Sequence, residues 1–246
     1  MADLAIIGGT GLTKLEELDI TNREIVHTPY GDPSGPISHG ELYGKKILFL
    51  PRHGYGHTIP PHKINYRANI WALKEAGASN VLAVAAVGGI TAEMRAGALV
   101  VPDQLIDYTY SRITTYFEEG LQSVTHIDFT EPYSAALRSL IIQAAANANI
   151  AVVTKGTYAA TQGPRLETAA EINRLERDGC HLVGMTGMPE AALARELELE
   201  YASFAVVANA AAGKGDGEIS MQDIEIQLKA GMQKVGFVLQ QLVKLL

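Results

Sequence analysis

Arg52 and His53 stand together in Pro51-Arg52-His53-Gly54-Tyr55-Gly56-His57, a glycine-rich segment that directly follows an apolar run. A guanidinium and an imidazole in such a turn could clamp an oxyanion through charge-assisted hydrogen bonds, although a solvated basic turn uses the same residues. Gly8-Gly9-Thr10-Gly11 follows another apolar run, and its glycines would let the backbone approach a phosphate while Thr10 adds a hydroxyl. The dinucleotide pattern G-x-G-x-x-G is not completed, since position 13 is Thr13, and a tight turn without ligand stays open. Val84-Ala85-Ala86-Val87-Gly88-Gly89 offers small residues beside which a ligand or a neighbouring element could pack closely. Further along, Thr161-Gln162-Gly163-Pro164-Arg165-Leu166-Glu167-Thr168 brings a carboxylate, Glu167, to the mouth of an expected helix, where dipole stabilisation is the plain alternative to a binding role. Gly184-Met185-Thr186-Gly187-Met188-Pro189-Glu190 places Met185 and Thr186 at a strand end, and Asn209 is a single amide among alanines in Ala208-Asn209-Ala210-Ala211-Ala212-Gly213, where it could also serve a turn. His53 and His57 have no neighbouring carboxylate or cysteine to complete a metal site.

These segments follow short apolar runs whose length and β-branched content predict strands: 4–7, 46–50, 80–87, 98–105, 151–158, 181–185 and 201–207. Between them, apolar residues at three- and four-residue intervals predict helices over 66–76, 133–147, 166–178, 189–198 and 220–246, with Gly77, Asn149 and Gly179 as stop signals. Alternation of buried strands with helices predicts one α/β domain over 1–246, built on a parallel or mixed sheet with helices on both faces. Ligands in such folds bind beyond the carboxyl ends of the strands, which is where the segments above fall.

The chain has 246 residues, 47% hydrophobic and 19% charged, with a net charge of -7, a composition that excludes disorder as the main state. Cys180 is the lone cysteine, and the first ten residues lack a basic, long-apolar leader pattern, so a cytoplasmic protein is expected. The longest strongly apolar run is far below the roughly 20 residues that span a bilayer, and no membrane partner is expected. With 20 Lys+Arg scattered among 27 Asp+Glu, a small-molecule ligand is a better partner than nucleic acid.

Taken together, the segments resemble the trimeric purine nucleoside phosphorylase and methylthioadenosine phosphorylase family. The resemblance runs from Gly8 to the last helix and is most specific at Arg52-His53-Gly54, His57-Thr58, Asn65 to Leu73, Gly163-Pro164-Arg165, and Gly184-Met185-Thr186 with Pro189-Glu190. It implies a central mixed sheet, partly barrel-like and flanked by helices, and a reaction in which inorganic phosphate attacks C1′ of a purine nucleoside. It also implies that Thr10, Arg52, His53, Ala86 and Thr186 surround phosphate, that Met185 packs against ribose, and that no metal or organic cofactor is needed. Where the family often has Thr or Asn, this chain has Ala85.

By the same resemblance, adenine-specific members carry Asp where this chain has Asn209 and again where it has Ala211. An amide can donate to a 6-oxo group and accept from a protonated N7. Glu167 falls at the position from which 6-oxopurine members accept from N1–H, while Leu166 occupies an aromatic place. Adenine N1 is an acceptor and would face that carboxylate with no proton between them, a mismatch worth discrimination of roughly 10⁴. At the sugar end, within 218–222, Met221 replaces a histidine of the classical enzymes, and a thioether suits a methylthio group. His126 resembles a residue that a neighbouring subunit supplies to cover this pocket, so a homotrimer with shared sites is implied. The expected reaction is phosphorolysis of S-methyl-5′-thioinosine to hypoxanthine and 5-methylthioribose 1-phosphate in purine salvage. The alternatives are methylthioadenosine or general inosine and guanosine phosphorolysis, and, in another class, a non-catalytic nucleotide-binding module.

Overall fold

A computed structural model describes residues 2–15, 18–120, 123–215, 217 and 220–246. The strands are β1 (Leu4–Gly8), β2 (Asp19–Glu24), β3 (Ile37–Leu42), β4 (Lys45–Pro51), β5 (Asn80–Gly89), β6 (Leu99–Val100), β7 (Gln104–Asp107), β8 (Val152–Val153), β9 (Thr157–Ala160), β10 (Leu182–Gly184) and β11 (Glu200–Ala210). The helices are α1 (Tyr66–Glu75), α2 (Ala135–Asn147), α3 (Ala169–Arg177), α4 (Gly187–Glu196) and α5 (Met221–Leu245). As expected, the chain is a mixed α/β domain. Among the described residues no helix is long and apolar enough to cross a membrane.

The strands join in a mixed sheet ordered β2-β3-β4-β1-β5-β10-β9-β7, which branches at β5. β5 pairs with β1 in parallel along Val81–Ala83 and with β10 antiparallel at Gly88 and Gly89, while β11 runs beside it in parallel from Asn80 to Gly89. Alternation along the central strands feeds two cores. Ala5 and Ile7 of β1 and Val81, Ala83, Ala85 and Val87 of β5 pack in one cluster with Ile70 and Leu73 of α1 and Ala191 and Leu193 of α4. Leu4, Ile6, Leu82 and Val84 pack in the other with Ile141 of α2 and Val235, Leu239 and Leu242 of α5. Burial on both faces is what makes these strands read as continuous apolar runs.

Two expected strands divide. Residues 98–105 give β6 and β7 with Pro102 between them, where the chain can offer no N–H to a ladder, and residues 151–158 give β8 and β9 across Gly156 at φ 158°. β2 and β3 were not anticipated: β2 is exposed along its whole length, so no apolar pattern announces it. The helix ends follow their signals. Gly77, Asn149 and Gly179 all take positive φ, and the next N–H bonds back to Leu73, Ala145 and Leu175 respectively.

Candidate active site

The carboxyl ends of β1, β4, β5, β10 and β11 converge on a cavity of about 200 Å³. Thr10, Arg52, His53, Ala86, Leu166, Glu167, Met185, Thr186, Asn209, Ala211 and Met221 all line it, which brings together residues separated by more than two hundred positions. His126 does not: it is exposed and absent from the lining. Of the segment expected at the sugar end, Glu218 and Ile219 lie outside the described residues.

Arg52 is not a solvated turn residue, being 1% exposed. Its Nε and Nη2 donate to Glu190 at 2.6 and 2.8 Å, and Nη1 donates to the Val84 carbonyl at 2.9 Å. Each Nη therefore keeps one N–H for the cavity. Desolvation works against this charge, and the Glu190 carboxylate outweighs it, holding the guanidinium above its ordinary range. Glu190 is fully buried and also accepts from Tyr201 Oη at 2.8 Å.

His53 directs Nδ1 at the Ile59 carbonyl, 2.8 Å away. A carbonyl only accepts, so Nδ1 carries the proton and Nε2 is left as an acceptor. Burial, with Arg52 and His57 adding to it, pushes the imidazole down to about 4. Arg52 is matched by Glu190, and burial favours the neutral form of His53. Aimed donors, and not surplus positive charge, are what this pocket offers an anion.

The glycine turn after β1 is tight for packing reasons as well. A side chain at Gly9 would meet the Val84 carbonyl at 2.6 Å and Arg52 Nη1 at 2.9 Å. Thr186 precedes α4 and is 7% exposed. Side chains of Asn65, Ser134, Thr168 and Ser220 cap α1, α2, α3 and α5, whereas the Thr186 side chain makes no capping bond and lies beside Tyr158, whose Oη accepts from Thr186 N–H at 3.4 Å.

α3 begins at Ala169, later than the expected 166, because Thr168 and Glu171 form a reciprocal capping box. Glu171 thus takes the helix-dipole place considered for Glu167, which lies outside the helix. Glu167 Oε1 accepts from Thr161 Oγ1 at 2.6 Å, so its other oxygen can serve a ligand. Asn209 is no helix cap or simple turn residue either. A bulge in β11 makes Val207 face Val87 and Asn209 face the next residue, Gly88, which turns the amide to the opposite side from Val207. Its Nδ2 donates once, to Ala210 O at 2.7 Å, leaving one N–H and Oδ1 free.

Beyond Glu167 lies a larger hollow of about 450 Å³, lined by Tyr108, Tyr110, Arg165 and Arg174 among others. None of Thr10, Arg52, His53, Ala86 or Thr186 reaches it, so it is an annexe and not the place where an anion meets Glu167. Among the described residues, no group of His, Cys, Asp or Glu side chains is placed to hold a metal ion.

Sequence reasoning missed the partners that hold the site residues. Glu190 has a local signal, a lone carboxylate inside the apolar stretch Met188–Ala194. Thr161 shares a segment with its partner Glu167, six residues on, whereas Tyr201 has no local signal and meets Glu190 through the fold.

Comparison with known proteins agrees with this geometry. A probable S-methyl-5′-thioinosine phosphorylase of Pseudomonas syringae pv. tomato is 59% identical over 235 residues, covering 96% of each chain. A 6-oxopurine nucleoside phosphorylase of Pyrococcus furiosus is 45% identical over 91% of this chain and 85% of its own. The solved structure of methylthioadenosine phosphorylase from Schistosoma mansoni in complex with adenine superposes with a TM-score of 0.95 at 32% identity, over 100% of this chain and 92% of that one. Residues 3–244 match the model of the phosphorylase superfamily, and the chain belongs to that family.

Proposed function

We propose that the protein catalyses phosphorolysis of S-methyl-5′-thioinosine, releasing hypoxanthine and 5-methylthioribose 1-phosphate for purine salvage. The observation that carries this reading is that Glu167 and Asn209 line the same cavity as the anion-binding set, with Met221 on its rim. Thr10, Arg52, Thr186 and the backbone around Ala86 hold phosphate, and His53 Nε2 accepts from its remaining P–OH. Met185 packs against the sugar. Glu167 accepts from N1–H of the base, while Asn209 donates to O6 and supports N7 as charge moves onto the leaving purine. Fixed donors aimed at that charge supply the main catalytic effect, and phosphate held against C1′ supplies the rest. Leu166 and Ala211 bound the base pocket.

Met221 is 64% exposed, and a methylthio group would cover it. The partner subunit's His126 closes this end in a homotrimer, which fits its exposure and its absence from the lining of its own chain's cavity. The chemistry uses phosphate as co-substrate and no organic or metal cofactor, and the enzyme works in the cytoplasm.

The test compares kcat/KM for methylthioinosine, methylthioadenosine and inosine at saturating phosphate. Methylthioinosine should be preferred over methylthioadenosine by about 10⁴. Asn209→Asp with Glu167→Ser should reverse the order, and an unchanged ratio would show the base assignment to be wrong.

A further inference from the structure

Arg112 lies in the loop between β7 and α2, and nothing in its local sequence marks it. Its guanidinium nevertheless reaches into both turns that frame the cavity. Nη1 donates to the Met185 and Met188 carbonyls at 2.8 and 2.6 Å, and Nη2 donates to the Gln162 and Thr161 carbonyls at 2.8 and 3.2 Å. Nε donates to Gln162 Oε1 at 3.1 Å, and Nη1 also lies 3.2 Å from Tyr66 Oη. Among the described residues no carboxylate stands within ion-pair distance of this cation. A planar fork with five N–H donors is what several converging carbonyls require, and an ammonium cannot reproduce it.

Each carbonyl belongs to a residue bonded to, or next to, a group that faces the ligand. Thr161 donates through its hydroxyl to Glu167, and Met185 and Met188 flank the Thr186–Gly187 peptide at the start of α4. We infer that Arg112 is a positioning residue that locks the Thr161–Glu167 turn to the Met185–Met188 turn, so that filling the anion subsite tightens the base subsite. An anion on Thr186 fixes one turn, and the guanidinium passes that restraint to the other. The base then gives up less conformational freedom on binding. By linkage, the base must tighten the anion subsite by the same factor.

This inference rests on the phosphorolysis reading, and binding measurements separate the two. Titration calorimetry of the full chain gives Kd for hypoxanthine with and without saturating inorganic phosphate. The wild type should bind hypoxanthine at least about fivefold more tightly when phosphate is present. Arg112→Lys should lower that factor to near one and weaken both ligands. Arg112→Gln should do the same, and guanidinium ion at low millimolar concentration should restore part of the coupling to Arg112→Ala.

Arg138 provides the control, because it also donates to carbonyls, those of Val101, Pro102 and Thr154, but away from the cavity. Arg138→Lys should lower Tm and leave the coupling factor unchanged. A wild type that binds neither phosphate nor hypoxanthine defeats the functional reading. A wild type that binds both, without coupling or with coupling that survives in Arg112→Lys and Arg112→Gln, overturns the role of Arg112.

Discussion

Replacing Glu190 by Gln removes one oxygen's charge and almost no volume from the middle of the protein. Glu190 is 0% exposed and accepts from Arg52 Nε and Nη2 and from Tyr201 Oη. The amide has one acceptor atom where the carboxylate had two, and its NH₂ would point at an N–H of Arg52. The guanidinium is then left buried and uncompensated. Breaking one side of a buried pair costs about 3–5 kcal/mol. For a chain of this size each kcal/mol moves Tm by about 2–4 °C, so E190Q should melt about 6–20 °C below the wild type. Circular dichroism melts at pH 7.5 read this directly. Phosphate should partly compensate, because an unmatched Arg52 gains more from an anion, so the phosphate-induced rise in Tm should be larger in E190Q than in wild type. An apolar pair, R52M with E190M, should recover stability relative to E190Q while losing phosphate binding. A variant E190Q that melts within about 2 °C of the wild type, or a double variant no more stable than E190Q, refutes the pairing argument.

The neutral His53 makes stability depend on pH. Its folded value of about 4 lies below the ordinary imidazole value of 6.5, so its stabilising contribution is complete above 6.5 and is lost as pH falls from there to about 4. That drop corresponds to at most about 3–4 kcal/mol, and urea melts of H53N should show a shallower loss over the same window. Thr161→Val leaves Glu167 Oε1 without its donor at 2.6 Å, which should raise the KM for nucleoside about tenfold and the KM for phosphate by less. Gly9→Ala puts a methyl 2.6 Å from the Val84 carbonyl and 2.9 Å from Arg52 Nη1, so Arg52 must shift, and the phosphate KM should rise by more than the nucleoside KM.

Much of this arrangement could be read in the sequence where the signal is local. The strands that carry the site, β1, β4, β5, β10 and β11, are apolar on both faces and appear as runs, and their ends hold the ligand-facing residues. Of the positions expected from the resemblance, Leu166 and Glu167 line the cavity from the loop before α3, Met221 from the start of α5 and the others from those ends, while His126 does not line it. Failure follows where the cause is distant. β2 has no buried face, so its pairing with β3 comes from backbone bonds that no pattern announces. The lowered pKa of His53 comes first from burial by the fold, with Arg52 and His57 adding to it, and the charge balance of Arg52 depends on Glu190, 138 positions away. Arg112 serves carbonyl oxygens, which every residue possesses, so no side-chain motif could point to its partners.

The bulge near the end of β11 separates two jobs that one strand would otherwise do in step. Up to Val207 the strand keeps the two-residue rhythm that fills the cores on either side of the sheet, and beyond it the rhythm is reset before Asn209. Asn209, which the proposed reading sets against the base, is therefore out of phase with the residues that hold the fold. Exchanging it alters what the pocket reads without asking any helix to repack. Base preference becomes a nearly independent trait of the chain, free to change by point substitution while the sheet stays as it is. On the proposed reading, position 209 is a place from which to redirect this protein.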